Sequence, residues 1–301
     1  MTPVPGTDAS VSLTDGRQIT YRRYGPPDGY PLLALHGTPG SRLKFASSEA
    51  HAIRLGLNVI AIDRWGYGGS DAHRTPSLRG FADDISRFAD TLGLDRFAVL
   101  GVSGGGPFAA ALAACLGRRV AALALFAPVG PIADETDREI STFHRFCFGP
   151  LAASPRVVRF VFSGFRWMLQ KSPARAMRIA MSQVPPADKR ILATGEHEAR
   201  LARAFIEGLR PGPEGPVIDL GIFGRPWGVP LSNATTPARL WIGTADLNVP
   251  ISAAHRLATR LPGCTLTTLP DEGHLWIAQN YGLVLDWVAE TAKGEAVAPP
   301  R

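Results

Sequence analysis

The chain is poor in cysteine and lysine. Its three cysteines, Cys115, Cys147 and Cys264, are odd in number and far apart, with no CxxC or Cys/His spacing. That excludes a disulfide framework and a zinc site, and leaves buried or free thiols. Neither a basic segment nor an apolar one follows Met1, so no secretory signal is expected. The most apolar stretches, 108–116 and 120–129, fall short of the roughly 20 residues a membrane span needs. A cytoplasmic protein with no membrane partner is the expectation. The formal charge is +6 with a pI of 9.6, and the excess is carried almost wholly by arginine. No dense basic run accompanies it, so no nucleic-acid partner is expected. Nothing matches a dinucleotide fingerprint, a phosphate loop or a metal cluster, so no cofactor and no metal are expected. With 45% hydrophobic and 19% charged residues and no internal repeat, disordered, collagen-like and coiled-coil chains are excluded as well.

What is present is an alternation. Residues 11–13 and 18–21 alternate apolar and polar around Asp15-Gly16, as in a β-hairpin. Residues 31–35 form a short continuous apolar run, and with 57–62, 97–100, 120–126, 238–242 and 264–269 they read as strands, the first two of them buried on both faces. Helical patterns fall between them at 41–55, 77–92, 107–116, 252–261 and 275–291; Leu78, Phe81, Ile85, Phe88 and Leu92 share one face. Strands alternating with helices predict an α/β fold, a mostly parallel central sheet flanked by helices. The rhythm stops near Pro131 and resumes near Pro230. Between them the pattern predicts helices at 139–148, 154–170, 173–182 and 186–209, then a loop at 211–216. One α/β domain with a helical insertion fits the 301 residues better than two domains in series.

Three residues stand where chemistry is possible. Ser103, within Gly101-Val102-Ser103-Gly104-Gly105, lies between a predicted strand and a predicted helix. A serine on such a turn has its hydroxyl pushed out at the carboxyl edge of the sheet, and its flanking glycines relieve the crowding. The helix that follows aims its N-terminal dipole at the same place. A serine hydroxyl needs a base, and of seven histidines His274 follows a strand at that edge. His51, His73, His144, His197 and His255 fall on helices or early loops. The base needs a carboxylate to orient it. Asp246 follows the preceding strand, whereas Asp271, three residues from His274, is placed to cap the last helix.

Taken together, these pieces resemble the α/β-hydrolase superfamily, in the branch with a helical cap that includes esterases, epoxide hydrolases and dehalogenases. Four motifs carry the resemblance in the family's order: His36-Gly37, Asp63-Arg64-Trp65-Gly66-Tyr67-Gly68-Gly69-Ser70, the Ser103 motif, and Asp246 followed by His274. The resemblance implies an α/β-hydrolase core over 1–130 and 231–293, a helical cap over 131–230, and a flexible tail at 294–301. It implies Ser103 as nucleophile, Asp246 and His274 as its partners, and backbone N–H groups of Thr38 and Gly104 as an oxyanion hole. His36 is implied to hold its loop, and Asp63 and Arg64 to build it; Trp65 and Tyr67 either line the pocket or pack.

Departures narrow the expected reaction. A serine at the elbow, where carbon-attacking relatives carry aspartate, argues against dehalogenation and epoxide opening. The family's proline iminopeptidases read His-Gly-Gly-Pro-Gly and place an aromatic after the serine; here stand His36-Gly37-Thr38-Pro39-Gly40 and Gly104. Residues 141–203 hold eleven bases against three acids, Asp188, Glu196 and Glu198, where a free amine would want acids. The expectation is a serine hydrolase acting on a carboxylic ester of a small or medium-sized, largely apolar substrate. Carbon–carbon hydrolysis, an iminopeptidase-like aminopeptidase and a non-catalytic ligand-binding scaffold are the alternatives. Aromatics beside the arginines (Phe143, Phe146, Phe148, Phe160, Phe162, Phe165, Trp167) leave two readings of the insertion, a basic-rimmed pocket roof or a self-packed core with a solvated face.

Overall fold

The computed structural model describes residues 6–131 and 146–296. Eight strands form one sheet: β1 (Asp8–Ser12), β2 (Gln18–Tyr24), β3 (Tyr30–Leu35), β4 (Leu57–Ile62), β5 (Phe97–Val102), β6 (Val120–Phe126), β7 (Ala238–Gly243) and β8 (Cys264–Leu269). Their spatial order is β1-β2-β4-β3-β5-β6-β7-β8. β2 runs antiparallel to β1 and β4, and every pair from β4 to β8 is parallel. The apolar runs explain this arrangement. Every residue of β4, β5 and β6 is buried, whereas β1 and β8, at the two edges, are mostly part-buried or exposed.

Helix α1 (Glu49–Leu55) follows a 3-10 segment, Arg42–Ser48, so the helix expected over 41–55 is tighter in its first half. Helix α2 (Leu78–Thr91) is capped by Ser77, whose Oγ accepts the Gly80 N–H at 3.1 Å, and it turns Leu78, Phe81, Ile85 and Phe88 inward. It packs against α3 (Gly106–Leu116), as α1 packs against the last helix. After β3 the chain steps outward to β4, then crosses to β5 on the other side of β3. The crevice between β3 and β5 is therefore a topological switch point, where open α/β sheets hold ligands.

Between β6 and β7 the described elements are helical: a short π-helical turn (Cys147–Leu151), α4 (Pro155–Lys171), α5 (Pro173–Ala180), α6 (Pro186–Leu192), α7 (Glu196–Gly208), α8 (Glu214–Phe223) and a 3-10 turn (Leu231–Asn233). The helix expected over 139–148 falls mostly on residues 132–145, outside those described, as do Phe143, His144 and Arg145. The helix expected over 186–209 is two, parted at Gly195 with φ of 71°. The loop expected at 211–216 is also corrected, because α8 begins inside it. Pro213 caps the helix and Pro216 occupies its first turn, where no intrahelical N–H is required. α9 (Ile251–Arg260) follows β7, and α10 (Ile277–Ala296) ends the described chain with a break in helical geometry at Asn280. The tail expected from Gly294 thus begins inside a helix. Among the described residues no helix is long and apolar enough to cross a membrane.

Candidate active site

The elbow is strained. Ser103 takes φ of 55°, a left-handed conformation costly for a residue with a Cβ, where β5 turns into α3. Space explains its glycines. A Cβ on Gly101 would stand 2.6 Å from the Ala109 Cβ, and one on Gly105 would stand 2.3 Å from the Leu35 carbonyl oxygen. The Val129 N–H holds the Ser103 carbonyl at 3.1 Å, and the Ala127 N–H after β6 donates to Trp241 O of β7 at 2.8 Å. These bonds link the elbow to the strand that leads to Asp246.

At the ends of β7 and β8, His274 Nδ1 donates to Asp246 Oδ2 at 2.7 Å. Asp246 Oδ1 accepts the N–H groups of Asn248 and Val249 at 2.8 and 3.1 Å, so both carboxylate oxygens are used and the side chain is buried. A carboxylate on Nδ1 fixes the tautomer and leaves Nε2 as the free base. Phe126 stacks on Trp276 at 5.6 Å, tying the histidine's turn to β6. Among the described residues Ser103 Oγ makes no hydrogen bond to His274. Such links are often long without a substrate and tighten around it.

The loop after β3 is anchored by charge. Burial, with the Arg64 guanidinium beside it, holds His36 well below the usual histidine value, so the ring is neutral. The Arg64 N–H donates to His36 Nε2 at 3.1 Å, which makes Nδ1 the donor to Gly37 O at 2.8 Å. Arg64 also donates to the carbonyls of His36 (3.0 Å) and Gly37 (3.1 Å) and forms a fork with Asp219 of α8; both side chains are 1% exposed. The same Asp219 accepts from Tyr67 Oη at 2.7 Å and from Thr38 Oγ1. Thr38 and Gly104 are neighbours, since a Cβ on Gly104 would lie 3.2 Å from Thr38 N. Tyr67 and Trp65 are buried in packing; Trp65 Nε1 donates to Asp84 at 3.0 Å and its ring faces His73 and Phe81.

A residue-pattern match over 30–281 to the model of the alpha/beta hydrolase fold decides the family. The chain belongs to the α/β-hydrolase fold family. Other α/β hydrolases resemble it at several distances. The pimeloyl-[acyl-carrier protein] methyl ester esterase of Aromatoleum aromaticum is 29% identical over 245 residues, 81% of this chain and 90% of that protein. The non-heme chloroperoxidase of Streptomyces lividans is 33% identical over 130 residues, so the matched part spans only 47% of its length and 42% of this chain. An α/β-hydrolase fold protein from Nakamurella multipartita superposes with a TM-score of 0.70 at 25% identity, covering 96% of this chain and all of that one.

Two residues at this site were not singled out from the sequence. Asp219 sits in a segment that begins with a run of prolines and glycines. Asp188 of α6 accepts the backbone N–H groups of His274 and Leu275 at 3.0 and 2.9 Å. That corrects the expectation for Asp271, which is exposed at φ of 58° while the distant Asp188 satisfies the turn before α10. The one signal for Asp188 is its isolation, the single acid among nine bases between 145 and 190. The other histidines lie elsewhere: His51 beside Gly282, His73 against Trp65, His197 on α7 and His255 on α9. The three cysteines are free and partly buried.

Proposed function

We propose that the protein is a serine hydrolase that cleaves a carboxylic ester of a small or medium-sized, largely apolar substrate through an acyl-enzyme on Ser103. What supports this most is the His274–Asp246 bond at the sheet edge that also carries Ser103 at positive φ. The full-length likeness to a protein named as a methyl ester esterase agrees with an ester substrate. Residues 131–230 serve as a cap over the site.

In this mechanism Ser103 Oγ attacks the ester carbonyl carbon while His274 Nε2 takes the hydroxyl proton. Asp246 stabilises the imidazolium that forms. The carbonyl electrons move onto oxygen, where the N–H groups of Thr38 and Gly104 and the N-terminal end of α3 face the new charge. Two such donors in a dry site are worth several kcal/mol. Collapse of the intermediate expels the alcohol, protonated by His274, and leaves Ser103 acylated. Water, deprotonated by His274, then attacks the acyl carbon and restores the serine. A stopped-flow burst of p-nitrophenol from p-nitrophenyl acetate, equal in amount to the enzyme, is the expected result; a linear trace at the uncatalysed rate rejects the proposal.

A further inference from the structure

Asp188 belongs to α6, in the segment between β6 and β7, yet its carboxylate reaches the turn that carries His274. It is fully buried, and its two oxygens divide their work. Oδ2 accepts the His274 N–H and Oδ1 accepts the Leu275 N–H. Those N–H groups belong to the two peptide planes on either side of the His274 Cα, so both planes are held from one carboxylate. Gly273 leaves the room for it, since a Cβ there would stand 2.3 Å from Asp188 Oδ1. Burial pushes the Asp188 carboxyl up from its ordinary value, against the pull of the two N–H donors and of the His274 charge. The titratable groups facing it are Asp246 and His274 across the site and Lys44, which burial lowers to about 8, from the 3-10 segment after β3. Among the described residues no cation bonds Asp188. A carboxylate kept in that position by backbone dipoles alone is a geometric device more than a stabilising pair.

The geometry assigns Asp188 as the positioning residue of His274. Asp246 grips the ring and sets its tautomer; Asp188 grips the backbone and sets where the ring's Nε2 stands relative to Ser103. Because the two grips come from different parts of the chain, the placement of the base depends on the insertion being seated. This rests on the serine-hydrolase reading above. A misplacement of about 1 Å at a reacting group is enough to cost on the order of 100-fold in rate.

The test uses Asp188→Asn, Asp188→Ala and Gly273→Ala in the full chain, with Lys189→Gln, on the exposed side of α6, as a control. Three quantities are read: kcat and KM for p-nitrophenyl acetate and for a longer acyl ester, the rate of phosphonylation by a fluorophosphonate, and the melting temperature. Asp188→Ala is expected to lower kcat about 10- to 100-fold with KM within about twofold, and to slow phosphonylation by the same factor. Asp188→Asn, which keeps one acceptor, falls less, and Lys189→Gln matches wild type. Gly273→Ala alone is expected to resemble Asp188→Ala, but to add little in the Asp188→Ala background, where the carboxylate it collides with is gone. A purely structural clasp would loosen the insertion and move KM for the longer ester. Folded Asp188→Asn and Gly273→Ala with wild-type kcat and phosphonylation rates, or with effects confined to KM, overturn the inference. If Asp188→Ala does not fold, those two variants decide. Wild-type protein that fluorophosphonate leaves unmodified rejects the hydrolase reading itself, a separate result seen before any variant is made.

Discussion

The two halves of the site each borrow a carboxylate from the insertion, and they hold it differently. On the side of Ser103 and Thr38, Asp219 meets the buried Arg64 as a full ion pair and also accepts from Tyr67 and Thr38. On the side of His274, Asp188 meets two backbone N–H groups and, among the described residues, no bonded cation. A third acid of the insertion, Glu207 of α7, reaches Arg42 at 2.8 Å beside the loop after β3. Charge opposite charge anchors the loop that carries Thr38; backbone dipoles opposite a charge hold the turn that carries His274. In the first arrangement, loss of either partner is costly, because an unpaired buried charge is left behind. The second is cheaper to disturb and acts on geometry.

Removing the reacting groups gives the largest effect and fixes the scale. Ser103→Ala is expected to lower turnover on the order of 10⁴-fold or more at unchanged melting temperature, with His274→Ala nearly as damaging because the three residues act as a unit. Asp246→Asn should also cost orders of magnitude, through the wrong imidazole tautomer, and Asp271→Asn should be mild. Steady-state kinetics on a p-nitrophenyl ester check all four.

The comparison sharpens with the two insertion carboxylates. Asp219→Ala leaves Arg64 charged and unpaired in the interior and should destabilise the fold by about 3–5 kcal/mol in chemical denaturation. Asp188→Asn should cost only about 1–3 kcal/mol, because one of the two backbone N–H groups loses its acceptor. Equal losses would erase the distinction between the two halves.

A smaller effect comes from pH. His36 is neutral in the fold with its value held well below that of the unfolded chain, so below about 6.5 the unfolded state binds the extra proton. Stability therefore rises with pH through that window, by up to about 1.4 kcal/mol per pH unit from this group, and falls on acidification. Between pH 5.5 and 7, His36→Asn should gain less stability than wild type by about 1.3 kcal/mol in denaturation experiments. An unchanged slope would remove His36 from the buried anchor.

Salt should matter least. Arg159 is paired with Glu214 at 2.9 Å, Arg166 donates to the carbonyls of Leu209 and Arg210, and Arg200 holds Ser47 and Glu196. Phe162 and Phe165 pack a small core with Leu169, Met177 and Leu209, while Phe160 and Trp167 are 81% and 60% exposed. With these arginines engaged in structural bonds, kcat/KM for an anionic ester and a neutral isostere should respond to ionic strength alike, within about twofold. A fall confined to the anionic ester would make the arginines a steering rim.

How legible each part was in the sequence follows from the range of its contacts. β4 and β6 are readable because parallel strands buried on both faces are unbroken apolar runs, and α2 because one face repeats with the helical period. Ser103, Asp246 and His274 stand out because each follows a strand. α8 was obscured by its prolines, which mark a loop inside an element but fit the first turn of a helix. Asp188 and Asp219 were hidden for another reason. Their partners lie 86 and 155 residues away, and no local pattern records a contact at that distance.

The most direct test of the central claim is to find which side chain a fluorophosphonate modifies. Wild-type protein, reacted to completion, digested and examined by peptide mass mapping, should carry one adduct per chain, on Ser103. Esterase activity should vanish in proportion to the adduct. An adduct on another serine, or ester hydrolysis that survives full modification of Ser103, would contradict it.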